Sequence, residues 1–154
     1  MAVIKHIASK NSDYGESERY LIFQHNEYTQ KPILDEEGHM ILREEYYLDG
    51  LNCDPFTFAS ECQELNSYYH KNKNFNEIKS HHYIISFAPK DKDECGLTGE
   101  RAQQLGLTFA KKNFSGHQAL VCTHTDGHNE SGNIHVHIVI NSLRKYDIPQ
   151  EPYM

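Results

Sequence analysis

No stretch of this sequence stays apolar for the roughly 20 residues that a membrane-spanning helix needs, and the N-terminal MAVIKHIASK interrupts its apolar run with a lysine and a histidine. Neither membrane insertion nor export by a leader is expected. Cysteine is sparse: Cys53, Cys62, Cys95 and Cys122 show no CxxC spacing, and Cys62 and Cys122 sit in apolar patterns that suit reduced, buried thiols. The expectation is a cytoplasmic protein without disulfides. Positive charge is also short, with 15 basic against 22 acidic residues and a formal charge of −7, which excludes a surface that binds polyanions indiscriminately. Any contact with nucleic acid has to be local. Repeats, low-complexity tracts and linkers are absent, so residues 1–154 read as one domain, long enough to bury roughly two-thirds of the unfolded surface.

What is present alternates between strand and helix signals. Ala2 to Ile7 predicts a short strand, and Ser17 is a candidate N-cap for a helix running through Tyr20 to Gln24. Pro32 to Arg43 carries two apolar pairs around a glycine-containing acidic turn, the pattern of a peripheral hairpin, and Glu45 to Asn52 reads as a loop. Asp54-Pro55 starts a helix to about Tyr69, with Phe58, Cys62, Leu65 and Tyr69 as its buried stripe. After the polar Lys71 to Asn76, His82 to Phe87 predicts a strand stopped by Pro89. Thr98 and Arg101 to Lys112 predict another helix, with Leu105, Leu107, Phe109 and Ala110 inward and Gly106 as a weak point. Two closing strands joined by a short polar connection favour an antiparallel pair in an α+β sandwich.

Those closing strands, in Gln118 to Asn141 (QALVCTHTDGHNESGNIHVHIVIN), hold the chemistry. Residues two apart on a strand share a face, so His135 and His137 project together with Asn133, Val139 and Asn141, opposite an apolar face of Ile134, Val136, Ile138 and Ile140. The preceding strand delivers His124 and Asp126 to the connection. Three imidazoles can thus meet on one cation and leave positions open for water or substrate, as catalytic sites do. Asp126 is placed to fix the tautomer of a ligating histidine, and His128 is a reserve ligand.

These residues resemble the relaxase, or mobilisation nuclease, branch of the HUH endonucleases, whose third motif reads approximately HxD, a spacer, then HxHxxxN. The matching positions are His124-Thr125-Asp126, His135-Val136-His137 and Asn141. The likeness extends to the order of elements, to LDGLNC before the second helix, and to an early tyrosine, covering roughly Ala2 to Ser142. Two departures stand beside it: the spacer carries an additional HNESG, and family members continue well beyond this motif. The resemblance therefore also implies that the chain is the N-terminal part of a longer protein.

The resemblance implies a central antiparallel sheet flanked by helices, a bound divalent cation, and cleavage of one DNA strand at a transfer origin by a tyrosine, giving a 5′-phosphotyrosyl intermediate in conjugative transfer or mobilisation. It places the nucleophile at Tyr20, in YLI after the first strand, with Tyr14 and Tyr28 as alternatives. His124, His135 and His137 would hold the metal, Asp126 would assist catalysis, and Asn141 and His128 would support the ligands. Manganese or magnesium is expected first, and imidazole donors also accept zinc or nickel. Single-stranded DNA is the implied partner, with accessory DNA-binding proteins and a secretion-system coupling protein. Competing readings are a rolling-circle replication initiator, a histidine-triad nucleotide hydrolase, a cupin-like metal site, and a non-catalytic metal-stabilised DNA-binding module. Asn133 stands where the triad needs a third histidine, and Asn141 where a cupin needs a glutamate.

Overall fold

A computed structural model describes residues 2–22, 34–40, 46–88, 96–125 and 134–146. Five strands, β1 (Ala2–Ser9), β2 (Tyr46–Leu51), β3 (Ser80–Phe87), β4 (His117–His124) and β5 (His135–Arg144), form one sheet in the order β1-β3-β5-β4-β2. Every pairing is antiparallel. Among the described residues three helices accompany it: α1 (Tyr14–Ile22), α2 (Phe58–Tyr68) and α3 (Gly99–Asn113). The α+β sandwich with a central antiparallel sheet is therefore the architecture of this chain.

Strands β4 and β5 are covered on both faces. Behind α3, Val121, Val136, Ile138 and Ile140 pack with Ala102, Ala110 and Phe114. On the other face, Leu120, Cys122 and Val139 pack with Tyr14, Leu21, Phe58 and Cys62 from α1 and α2. Each fully buried aliphatic side chain contributes about 1.5–3 kcal/mol, so the inner strands β4 and β5 anchor the fold. The face expected to be reserved for chemistry carries a second core as well, and the histidines sit at one end of it. Cys62 and Cys122 are buried thiols, and Cys53 is likewise unbridged.

Several helix boundaries differ from the sequence expectation for local reasons. α1 begins at Tyr14 rather than beyond Ser17, because the Asp13 carboxylate accepts from the Gly15 amide at 3.0 Å and organises the first turn. α2 begins at Phe58 because Asp54 to Thr57 closes a turn first, with Glu61 accepting from the Thr57 hydroxyl at 2.7 Å and the Asp54 amide at 2.8 Å. Its buried stripe is Phe58, Cys62 and Asn66, whereas Tyr69 is 51% exposed and lies at the C-cap, packed edge-on against Tyr68. α3 is capped as expected by Thr98, which accepts from the Arg101 amide at 3.2 Å, but Leu105 faces outward.

The expected loop from Glu45 to Asn52 holds a strand. β2 contains Asp49-Gly50, which looks like a turn in sequence, yet it pairs along its length with β4 as an edge strand. A Cβ at Gly50 would collide with the Cys53 carbonyl folding back beside it, so glycine is required inside this strand. Asn52, at a φ of 59°, donates from its amide to the Ser115 and His117 carbonyls. These contacts account for the LDGLNC stretch. The expected hairpin retains its tip, where Leu34 bridges Met40 and Gly38 takes a φ of 84°.

Candidate functional site

The register of β4 on β5 sets His124 opposite His135 and Cys122 opposite His137. Directly opposed residues share a face, so His124, His135 and His137 gather at one end of the adjacent strands β4 and β5. The His124 and His137 ring centres are 4.7 Å apart, and those of His135 and His137 are 6.5 Å apart. Two imidazoles on one cation, with metal–nitrogen bonds of about 2.1 Å, have ring centres about 5 Å apart. His124 and His137 already stand at that separation, and the half-buried His135 lies beside them.

Two contacts orient these rings. His124, 2% exposed, faces the Leu21 carbonyl through Nε2 at 2.7 Å. A carbonyl only accepts, so Nε2 carries the hydrogen and the ring's lone pair lies on Nδ1. The buried Cys122 thiol reaches the same oxygen at 3.9 Å. Both contacts use a carbonyl of the last turn of α1, where helical carbonyls lack partners within the helix. Leu21 follows Tyr20 directly, so the end of α1 is tied to the histidine cluster.

On the other flank, Ile84 of β3 pairs with His137, so His82, two residues along, shares the histidine face. Its Nε2 lies 3.0 Å from His137 Nδ1. Burial, with a smaller contribution from Lys5, pulls the His82 pKa down to about 4. That ring is neutral at physiological pH, as a partner beside a cation site should be. The sequence predicts His82 on a strand, and the register of β3 on β5 reveals which histidine it meets.

Asn141 lies farther along the same face of β5 and belongs to a different network. It is fully buried, donating from Nδ2 to Gln118 at 3.1 Å and Asn66 at 3.2 Å. Its Oδ1 receives the Tyr14 hydroxyl at 3.1 Å, while that hydroxyl also reaches the Lys79 carbonyl at 2.8 Å and accepts from Asn66 at 2.9 Å. Tyr14 is 3% exposed, and burial pushes its phenol up to about 12. Tyr14 thus joins α1 to α2, to β5 and to the residue that precedes β3. Lys79 completes this end, its Nζ donating to the carbonyls of Lys10, Asn74 and Glu77.

Asp126, His128, Tyr28, Asn133 and the Tyr20 side chain lie outside what is described. Among the described residues, no three His, Cys, Asp or Glu side chains converge as a ready cage for a metal ion. The donor chemistry nevertheless fits a divalent cation, since His124 and His137 have the ring separation of two ligands and His135 is their neighbour. Helices long and apolar enough to cross a membrane are likewise absent from the described residues.

A curated Staphylococcus aureus relative named Protein rlx is 38% identical over 94 residues, 61% of this chain and 26% of the relative. A second Protein rlx from the same organism is 34% identical over 94 residues, again 61% of this chain and 26% of the relative. The chain therefore spans about a quarter of the length of the curated relatives it matches. No solved structure matches it. The family profile described as "Relaxase: MobA/VirD2-like, nuclease domain" matches residues 28–148, which include the histidine cluster and strands β2 to β5. The chain belongs to the MobA/VirD2-like relaxase nuclease family.

Proposed function

We propose that this chain nicks one strand of DNA at a transfer origin by tyrosine transesterification, in conjugative transfer or mobilisation. The observation that carries the proposal is the 2.7 Å contact between His124 and the Leu21 carbonyl, which ties the residue after Tyr20 to the histidine cluster. Tyr20 is the nucleophile in this reading. His124, His135 and His137 hold a divalent cation, manganese or magnesium, with zinc or nickel as substitutes. When bound, the cation supplies charge neutralisation at the non-bridging oxygens of the scissile phosphate. Asp126 supports a ligating histidine, and His128 is a reserve donor on the same connection.

A phenol of ordinary pKa near 10 is ionised to about one part in a thousand at pH 7, a deficit of roughly 4 kcal/mol. The charge of a cation held at the histidine end of the sheet would favour the phenolate. Attack of the Tyr20 oxygen on phosphorus forms one phosphodiester as another breaks, leaving a 5′-phosphotyrosyl enzyme and a free 3′-hydroxyl. Because the bond types are conserved, the reverse attack by a 3′-hydroxyl religates the strand. Single-stranded DNA is the substrate, and accessory DNA-binding proteins and a coupling protein are the proposed partners. Covalent capture of a 3′-labelled product strand by the wild-type chain, and its loss in Tyr20→Phe, tests this function.

A further inference from the structure

We propose that His82 is a positioning residue that holds His137 in its Nδ1–H tautomer, so that Nε2 of His137 is the nitrogen offered to the cation. The inference rests on the reading of His137 as a metal ligand. It starts from the 3.0 Å separation between His82 Nε2 and His137 Nδ1, with ring centres 5.2 Å apart and planes inclined at 49°. At that distance the two nitrogens share one hydrogen. It belongs either to His82 or to His137, and the two arrangements differ in consequence.

If His82 donates, His137 accepts at Nδ1 and a neutral His137 carries its own proton on Nε2, where it blocks coordination. If His137 donates, its Nε2 keeps a lone pair and the ring is ready for a metal. A bound cation selects the second arrangement, and ligating histidines characteristically donate their other N–H to an acceptor. The acceptor here is a neutral imidazole, where a carboxylate or carbonyl is the usual partner. An uncharged acceptor raises the basicity of the ligand less than a carboxylate does and cancels none of the cation's charge. More of that charge remains for the phosphate.

The backbone builds this pair into the sheet. Ile84 and His137 are directly opposed across β3 and β5, and Val139 opposes His82, which sets the two imidazoles on the diagonal of one face. Diagonal neighbours lie within reach of ring side chains. Across β3, Lys5 opposes Ile84 and Ile7 opposes His82, completing the flank of the cluster toward β1.

The test combines calorimetric titration of Mn²⁺ into the purified chain with long-range ¹H–¹⁵N spectra of its histidine rings. The expected spectrum of the metal-free wild type shows His137 protonated at Nδ1. His82→Leu should weaken Mn²⁺ binding by about 10–100-fold, and His82→Gln, whose amide oxygen accepts in the same place, should recover most of the loss. His82→Asp should bind Mn²⁺ more tightly than His82→Gln. A His137 ring protonated at Nε2 in the metal-free wild type overturns the proposal without requiring any variant to fold. Unchanged Mn²⁺ affinity in His82→Leu, alongside its loss in His137→Ala, overturns the role of His82 and leaves the metal reading standing. Unchanged affinity in His137→Ala removes the metal reading, and this inference with it.

Discussion

His124 donates from Nε2 to the carbonyl oxygen of Leu21 across 2.7 Å, joining the last residue of β4 to the last turn of α1. One hydrogen bond thus couples the proposed ligand set to the segment that carries the proposed nucleophile. It also fixes the tautomer, leaving Nδ1 of His124 with the lone pair that a cation needs.

The ligands should fail together with the metal. His124→Ala and His135→Ala each remove an imidazole from the cluster, so both should lower Mn²⁺ affinity and strand cleavage in parallel, by at least tenfold. Calorimetry on the two variants measures the first quantity and gel analysis of a labelled single strand the second. His135→Ala with wild-type affinity would remove His135 from the ligand set.

Tyr14 should behave as a structural residue. Tyr14→Phe deprives Asn141, Asn66 and the Lys79 carbonyl of a common partner in a buried setting, and an unsatisfied buried polar group costs about 1–3 kcal/mol. Chemical denaturation should show that loss, with formation of the covalent adduct retained in the folded fraction. Loss of the adduct at unchanged stability would instead make Tyr14 the nucleophile.

Gly106 should tolerate no side chain. A Cβ there would stand 2.5 Å from Val136 Cγ1 and 3.3 Å from Val121 Cγ1, so Gly106→Ala forces α3 away from β4 and β5. Overpacking of this kind costs about 1–3 kcal/mol, more than the gain in helix propensity that alanine brings. A denaturation midpoint equal to or above wild type would contradict the close seating of α3.

Stability should fall on mild acidification. Burial, followed by the charges of His6 and His117, holds His81 below its ordinary 6.5; burial also holds His117 down, against the pull of the Asn141 carbonyl. The unfolded chain takes up protons that the folded chain refuses, so their contribution is complete above pH 6.5 and is lost progressively below it. The melting temperature should fall between pH 7.5 and about pH 5. His81→Gln and His117→Gln should flatten that slope, and a slope unchanged in both would show that other groups set it.

Strand period made β4 and β5 legible in the sequence, along with the common face of His135 and His137 and the strand-end position of His124. Periodicity also found α2 and α3, because apolar spacing and caps such as Thr98 are local signals. What it missed depends on register and tertiary partners. β2 was hidden because Asp49-Gly50 reads as a turn until the Cys53 backbone is seen folding beside Gly50. Tyr69 continued an apolar stripe that in fact ends in Asn66, buried because Tyr14 and Asn141 satisfy it. His82 could be placed on a face from sequence, but its contact with His137 follows from a pairing that joins residues 55 positions apart.

The most direct test of the central claim is to incubate wild type and Tyr20→Phe with Mn²⁺ and a labelled single strand spanning the native transfer origin, then to resolve covalent protein–DNA adducts under denaturing conditions. Wild type should yield an adduct whose tryptic DNA-linked peptide contains Tyr20. Tyr20→Phe should bind Mn²⁺ and DNA as tightly but form no adduct. An adduct that persists in Tyr20→Phe, or a wild-type linkage mapped to another residue, would contradict the assignment of Tyr20.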